Sequence, residues 1–177
     1  MLSRILIIFG FLSLGLGALF LWQRNNPQRL AFLDYSKTSI RACMDNKNPP
    51  VAIAIKGLNI NLPIIPAEIH STQWDTTTKG VSWLDNSPEP GENGNSILYA
   101  HNWTSLFGNL PKVKPGQKIQ IGFKDNTKKN FLVQNTAIVK PNQLGILDQT
   151  TDKRITLYTC TGFMDSKRFV VTAKLID

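Results

Sequence analysis

The sequence predicts a mainly β domain, a closed or nearly closed barrel with a few short helices, preceded by one N-terminal transmembrane helix. Three observations predict it. Between Arg4 and Arg24 no residue is charged, and Ile5 to Trp22 is almost all Ile, Leu, Phe, Gly and Ala. From Val51 onward, short apolar or alternating runs are broken by Gly, Pro, Asn and Asp, the pattern of many short strands joined by turns. The length of 177 residues suits one domain and an appendage.

The appendage comes first. As a helix, residues 5–23 rise about 28 Å at roughly 1.5 Å each, close to the hydrocarbon thickness of about 30 Å. Trp22 falls at the far end, where interfacial aromatics sit. A cleaved signal peptide would have a shorter apolar region and a small-x-small site after it. Leu21-Trp22-Gln23-Arg24-Asn25-Asn26-Pro27 is a poor site of that kind, so residues 1–24 are expected to be an uncleaved anchor. Arg4 and the start amine favour a cytoplasmic N-terminus, while Arg24 and Arg29 flank the other side.

Residues 25–50 are expected to be a juxtamembrane linker. Asn25, Asn26 and Pro27 break the first helix. Leu30, Leu33 and Ile40 lie near helical spacing, which predicts a short amphipathic helix within Gln28–Met44. Asn46 to Pro50, with its Pro-Pro pair, marks the boundary. The net charge of +8 divides evenly: residues 1–50 hold six Lys/Arg and two Asp/Glu, and residues 51–177 hold fourteen and ten. A basic domain sits comfortably beside an anionic surface, though ordinary solubility accounts for the charge as well. No Lys/Arg cluster is interleaved with aromatics, so nucleic acid is not an expected partner.

Residues 51–177 form the β domain. Val51–Ile55 reads as a strand, and Leu58-Asn59-Ile60-Asn61-Leu62 alternates with period two. Pro63 and Pro66 are expected to hold the next piece to an edge or a turn. Further strands are expected near Ser96–His101, Ile119–Phe123, Asn130–Val139, Ile155–Cys160 and Phe169–Ile176, with helical pieces at Trp103–Leu110 and around Gln143–Leu147. Gly57, Lys124-Asp125-Asn126 and Pro141-Asn142 supply turn chemistry between them.

The stretch Arg154-Ile155-Thr156-Leu157-Tyr158-Thr159-Cys160-Thr161-Gly162 reads as a buried strand that delivers a thiol to its tip. On this strand alone, a cysteine packed as a small apolar residue accounts for it equally well. Two other strands tip the balance. Ile97-Leu98-Tyr99-Ala100-His101 ends on a histidine, and Arg168 opens Phe169-Val170-Val171-Thr172-Ala173. The attacking species is the thiolate, and a neighbouring imidazolium raises its fraction. Attack on an amide builds an oxyanion, which a guanidinium's fork of N–H donors can hold. The eight-residue step from Cys160 to Arg168 lets the second strand return antiparallel beside the first. The other histidine, His70, lies in a polar stretch and reads as a surface residue. Two His and two Cys without ligand spacing make a metal centre unexpected, and no cofactor is expected either.

Thr156-Leu157-Tyr158-Thr159-Cys160 matches the TLxTC signature of the sortases. Pro88-Glu89-Pro90-Gly91-Glu92-Asn93-Gly94-Asn95, running into Tyr99-Ala100-His101-Asn102, resembles that family's PGxxGNxxxAGH segment. Phe107, Leu110 and Lys114-Pro115-Gly116-Gln117-Lys118-Ile119 resemble the stretch downstream of it, and Arg168 stands where the family's arginine opens the last strand. The resemblance covers roughly residues 51–177. Ala100 departs from the usual Gly and Gln117 from the usual Asp.

The resemblance implies an eight-stranded sortase-type barrel as the catalytic domain outside the cell membrane, held by a single-pass anchor. It implies a cysteine transpeptidase that cleaves an LPxTG-like sorting signal of surface proteins through a thioacyl intermediate. Transfer would be to an amine of a cell-wall precursor or a pilin. His101, Cys160 and Arg168 would be catalytic. Thr159 is assigned to substrate binding, although a strict pleat turns it away from the face of Cys160. Cys43 and Cys160 are expected to be free thiols, since a disulfide would remove the nucleophile. Asn102 could orient His101, a role that the resemblance does not give it. Asp165 could pair with Arg168 or Lys167, or be a solvated loop charge. The rival readings are a hydrolytic cysteine endopeptidase and a non-catalytic wall-associated scaffold.

Overall fold

A computed structural model describes residues 2–24, 26, 30–32, 48–70 and 73–176. The helix expected within Gln28–Met44, and Cys43 with it, fall largely outside the described residues. Helix α1 spans Leu2–Arg24, and within it Ser3–Gln23, of mean hydropathy 2.4, is long and apolar enough to cross a membrane.

Ten strands follow: β1 (Pro50–Ile55), β2 (Ile60–Ala67), β3 (Ile69–His70), β4 (Gln73–Trp74), β5 (Val81–Leu84), β6 (Gly94–Tyr99), β7 (Lys118–Phe123), β8 (Lys128–Val139), β9 (Lys153–Thr161) and β10 (Lys167–Leu175). Eight of them close a barrel in the order β1-β2-β5-β6-β9-β10-β8-β7, and β3 and β4 form a separate hairpin. Two pairs, β2–β5 and β6–β9, are parallel. Parallel neighbours need a crossover, and the crossover from β6 to β9 carries β7 and β8.

Several expectations are revised. Pro63 and Pro66 lie inside β2 rather than in a turn, at positions paired on one side only, as the expected edge requires. β2 pairs with β1 through residues 60–63 and with β5 through residues 64–67. It is therefore two half-strands, each paired on one side, which tolerates residues that cannot donate a ladder bond. Leu58 belongs to a 3-10 turn over Lys56–Leu58, closed by Asn59 in the left-handed region at φ 54°. The two helical pieces are also 3-10 turns, at Phe107–Lys112 and Leu144–Leu147. Strand β5 had no sequence signal, since four residues with a central Ser are too short to show a period.

Alternation along the strands separates two apolar clusters. All eight barrel strands contribute to the inner one, which holds Leu98 of β6, Leu157 of β9 and Phe169 and Val171 of β10. The outer cluster takes the opposite face of the same three strands, through Ile97, Tyr99, Tyr158, Cys160 and Val170. It is covered by Leu30, Phe32, Ile69, Trp74 and Leu147.

Candidate active site

The three predicted site residues stand on three neighbouring strands. Antiparallel pairing of β9 and β10 sets Arg168 opposite Cys160. Side chains of such a pair point to one face, with β-carbons about 4.5–5.5 Å apart. On the other side of β9, the parallel ladder with β6 runs to Tyr99↔Tyr158. It continues one bond further, where the Ala100 N–H donates to the Tyr158 carbonyl at 3.3 Å. The same register carries His101 to the level of Cys160. With that register extended at a strand spacing of about 4.8 Å, the thiol would stand between imidazole and guanidinium. Cys160 is buried.

The two threonines of the signature fasten the cysteine strand to the histidine strand. The Thr156 hydroxyl bonds the Asn95 Oδ1 at 2.7 Å, and the Thr159 hydroxyl donates to the Ala100 carbonyl at 2.7 Å. Thr159 is fully buried on the inner side and pairs with Phe169. Its hydroxyl is spent on the strand that leads to His101, on the side of β9 away from the Cys160 thiol. Asn95, which sequence reasoning quoted only as motif, also donates from Nδ2 to the carbonyls of Ile146 and Asp148, at 3.0 and 3.2 Å. It thereby ties the loop before β9 to β6.

His101 is held from several directions. Its ring stacks on Trp103, with centroids 4.6 Å apart and planes within 12°. Its carbonyl accepts from the Phe107 N–H at 3.0 Å, and the Trp103 carbonyl accepts from Leu106 and Gly108, both at 2.8 Å. A Cβ at Gly108 would lie 2.7 Å from that Trp103 carbonyl, so this turn closes only with glycine. Burial pushes the His101 pKa below its ordinary value, and the Asp165 charge partly offsets this.

Arg168 is buried despite its charge. Its Nη1 donates to the carbonyls of Asp165 and Lys167, at 2.9 and 3.0 Å, and its Nη2 donates to the Ala31 carbonyl at 2.9 Å. Its Nε–H is buried without a partner. The guanidinium carbon lies 5.8 Å from the centroid of Phe32, and Phe32 meets Tyr158 edge to face at 5.0 Å. Leu30 to Phe32, from the segment expected to be a linker, therefore lie against the site face.

Asn102 donates from Nδ2 to the Asp165 Oδ1 at 3.1 Å. The Asp165 contact to Arg168 runs through its backbone carbonyl. The backbone of His70 pairs with Gln73 in the hairpin, and its side chain lies outside the described residues. Among the described residues, no three His, Cys, Asp or Glu side chains converge to hold a metal. A cleft of about 260 Å³ beside Lys56, Gln117 and Gln120 lies on the opposite wall of the barrel and holds none of these groups.

Similarity to known proteins agrees with this geometry. Residues 53–176 match the family model of the sortase domain. Sortase A of Listeria monocytogenes is 29% identical over 128 residues, 70% of this chain and 55% of that protein. Sortase A of Bacillus anthracis is 27% identical over 139 residues, 76% of this chain and 63% of that protein. The chain thus matches little more than half the length of these curated relatives. Sortase C1 of Streptococcus agalactiae, solved in complex with MTSET, superposes with a TM-score of 0.62 at 28% identity, covering 72% of this chain and 68% of that one. With the barrel in place and the family model matched across nearly all of it, the chain belongs to the sortase family.

Proposed function

We propose that this chain is a membrane-anchored cysteine transpeptidase that anchors surface proteins. The observation that carries this reading is that Arg168 of β10 pairs opposite Cys160 of β9, while the parallel β6–β9 ladder, which ends at Tyr99↔Tyr158, leads toward His101 two residues beyond β6. Residues 1–24 are the anchor, residues 25–50 the connection, and residues 51–177 the catalytic domain outside the membrane.

The substrate is a protein ending in an LPxTG-like sorting signal. The Cys160 Sγ attacks the Thr–Gly carbonyl carbon, and the oxygen becomes an oxyanion beside Arg168. The unspent Nε–H suits that charge, because a donor fixed in place before the reaction costs no reorganisation. As the carbon–nitrogen bond breaks, His101 gives its proton to the leaving glycine amine, leaving a thioester on Cys160. An amine of a wall precursor or a pilin attacks this thioester, His101 takes up the amine's proton, and the Cys160 thiolate leaves, which restores the starting thiolate–imidazolium pair. The oxygen that Nη2 now holds is the chain's own Ala31 carbonyl, and a substrate carbonyl would have to replace it there.

The test is mass spectrometry of products formed by the full-length chain in detergent, with a library of LPxTG-like peptides and an added amine such as a glycine peptide. A peptide cut after Thr and joined to the amine is the expected product. A cut peptide that never carries the amine points to a hydrolytic endopeptidase. No cleavage of any peptide points to a non-catalytic scaffold.

A further inference from the structure

We propose that Asp165 is a positioning residue for His101: its hydrogen bond to Asn102 holds the β9–β10 turn against the loop that carries the imidazole, with its carboxylate facing that ring. The inference rests on the assignment of His101 as the acid and base of the transfer.

Four observations lead to it. Asn102 follows His101 directly in the chain, and its Nδ2 donates to the Asp165 Oδ1 at 3.1 Å, across a separation of 63 residues. Asp165 sits in a turn built against backbone preference: Met164 and Asp165 are both left-handed, at φ 51° and 58°. Such conformations persist where surrounding contacts fix them and concentrate at functional sites. The same residue reaches the other flank of Cys160, since its carbonyl accepts from Arg168 Nη1 at 2.9 Å. One residue of the turn thus touches the neighbour of the acid–base group with its side chain and the oxyanion group with its backbone.

The fourth observation is electrostatic. Burial disfavours the imidazolium that must protonate the leaving amine, and Asp165 is the charge that acts against it. By register, Cys160 of β9 and Arg168 of β10 are the titratable or charged neighbours at this end of the sheet, and Asp165 of the turn is the group whose charge favours the imidazolium. A carboxylate latched at this point opposes the burial penalty on the protonated ring that a general acid needs.

Asp165→Asn separates charge from shape. Asn tolerates the left-handed region as well as Asp does and keeps an oxygen for the Asn102 amide, so the turn is retained while the charge goes. Asn102→Ala does the reverse, keeping the charge and releasing the latch. The chain has two histidines, so an untagged full-length sample labelled at histidine gives two imidazole titrations by NMR, with His70 as internal reference. The His101 midpoint should fall in Asp165→Asn and, by less, in Asn102→Ala, while that of His70 stays in place. The acid limb of the kcat/KM profile should move the same way, with a loss of about two- to tenfold, the worth of one net hydrogen bond. The NMR readout needs no turnover, so it decides the Asp165 contact even if no peptide is transferred. An unmoved His101 midpoint in both variants overturns the proposal whatever happens to activity. If Asp165→Asn does not fold, Asn102→Ala alone decides by the same criterion.

Discussion

The inner and outer faces of β6, β9 and β10 divide the work of the molecule. Leu98, Leu157, Phe169 and Val171 point inward into a cluster fed by all eight barrel strands. The outer face of the same strands carries Tyr99, Tyr158, Cys160 and Val170, together with Arg168 opposite Cys160. The inner face is sealed by the fold itself. The outer face is covered by short pieces: residues 30–32, the β3–β4 hairpin and the turn at Leu144–Leu147. A closed barrel fixes the strand register, and register is all that is needed to hold three chemical groups level on the surface that remains. Inner substitutions should therefore cost stability and spare the chemistry of molecules that still fold, and outer ones should do the reverse.

The largest effect is expected on the outer face. Cys160→Ala removes the sulfur that carries the thioacyl bond, so turnover should fall to background while the melting temperature changes little. Cys43→Ala should stay near wild type; if Cys43→Ala were the inactive variant, the nucleophile assignment would be wrong. Next comes His101→Ala, which removes the leaving-group acid and the partner of the thiolate. Each role is worth roughly 10²-fold or more, so kcat/KM should fall by several orders of magnitude. His70→Ala should change it little, and comparable losses in both would remove His101 from the site.

Arg168→Lys comes third. It keeps a charge and loses the planar fork, so kcat should fall by about 10²- to 10³-fold, as for loss of one oxyanion donor, with KM moving much less. A risen KM at constant kcat would make Arg168 a substrate anchor. On the inner face, Leu157→Ala should cost about 2–5 kcal/mol of stability, as for other buried Leu truncations. Chemical denaturation and active-site titration measure the two effects separately. If the active fraction of Leu157→Ala turned over hundreds of times more slowly, the division between the faces would fail.

The smallest effect joins the two. Burial pushes the His101 pKa below its ordinary value. The unfolded chain then binds this proton at higher pH than the folded one, so His101 lowers stability as pH falls from about 6.5 towards its folded value. Above that window it contributes nothing. Thermal melts of wild type and His101→Gln at pH 7.5 and 5.5 should show the wild type losing more on acidification. An equal loss in both proteins would mean that the imidazole is not held neutral by burial.

Much of the site was legible because it is local. The Cys160–Arg168 pairing follows from an eight-residue step through a Gly-containing turn, and the strand ending at His101 was visible as an apolar run. Thr159 shows the limit of that reading. Its place in the motif was clear, but its side depends on the pleat holding to the strand end, which it does. Strand β5 escaped because it is short and is recruited by pairing with β2 and β6 rather than by its own pattern. The burial of Leu30 and Phe32 escaped for a related reason. Leu30 was read on one face of a short helix, and it is the aromatic face formed by Tyr158 and Trp74 that gives this apolar segment its place. Asn102–Asp165 spans two loops, where composition says little about contact.

In the proposed mechanism, Cys160 forms a thioacyl bond at the level of His101 and Arg168. The most direct test is intact mass spectrometry of the full-length chain mixed with a cleavable LPxTG-like peptide in the absence of amine, quenched in acid and followed by peptide mapping. The predicted result is a mass increase equal to the peptide's N-terminal fragment through Thr. It should map to Cys160, be absent in Cys160→Ala and disappear when amine is added before quenching. Processing of the same peptide with no adduct at any time, or an adduct that maps to Cys43, would contradict it.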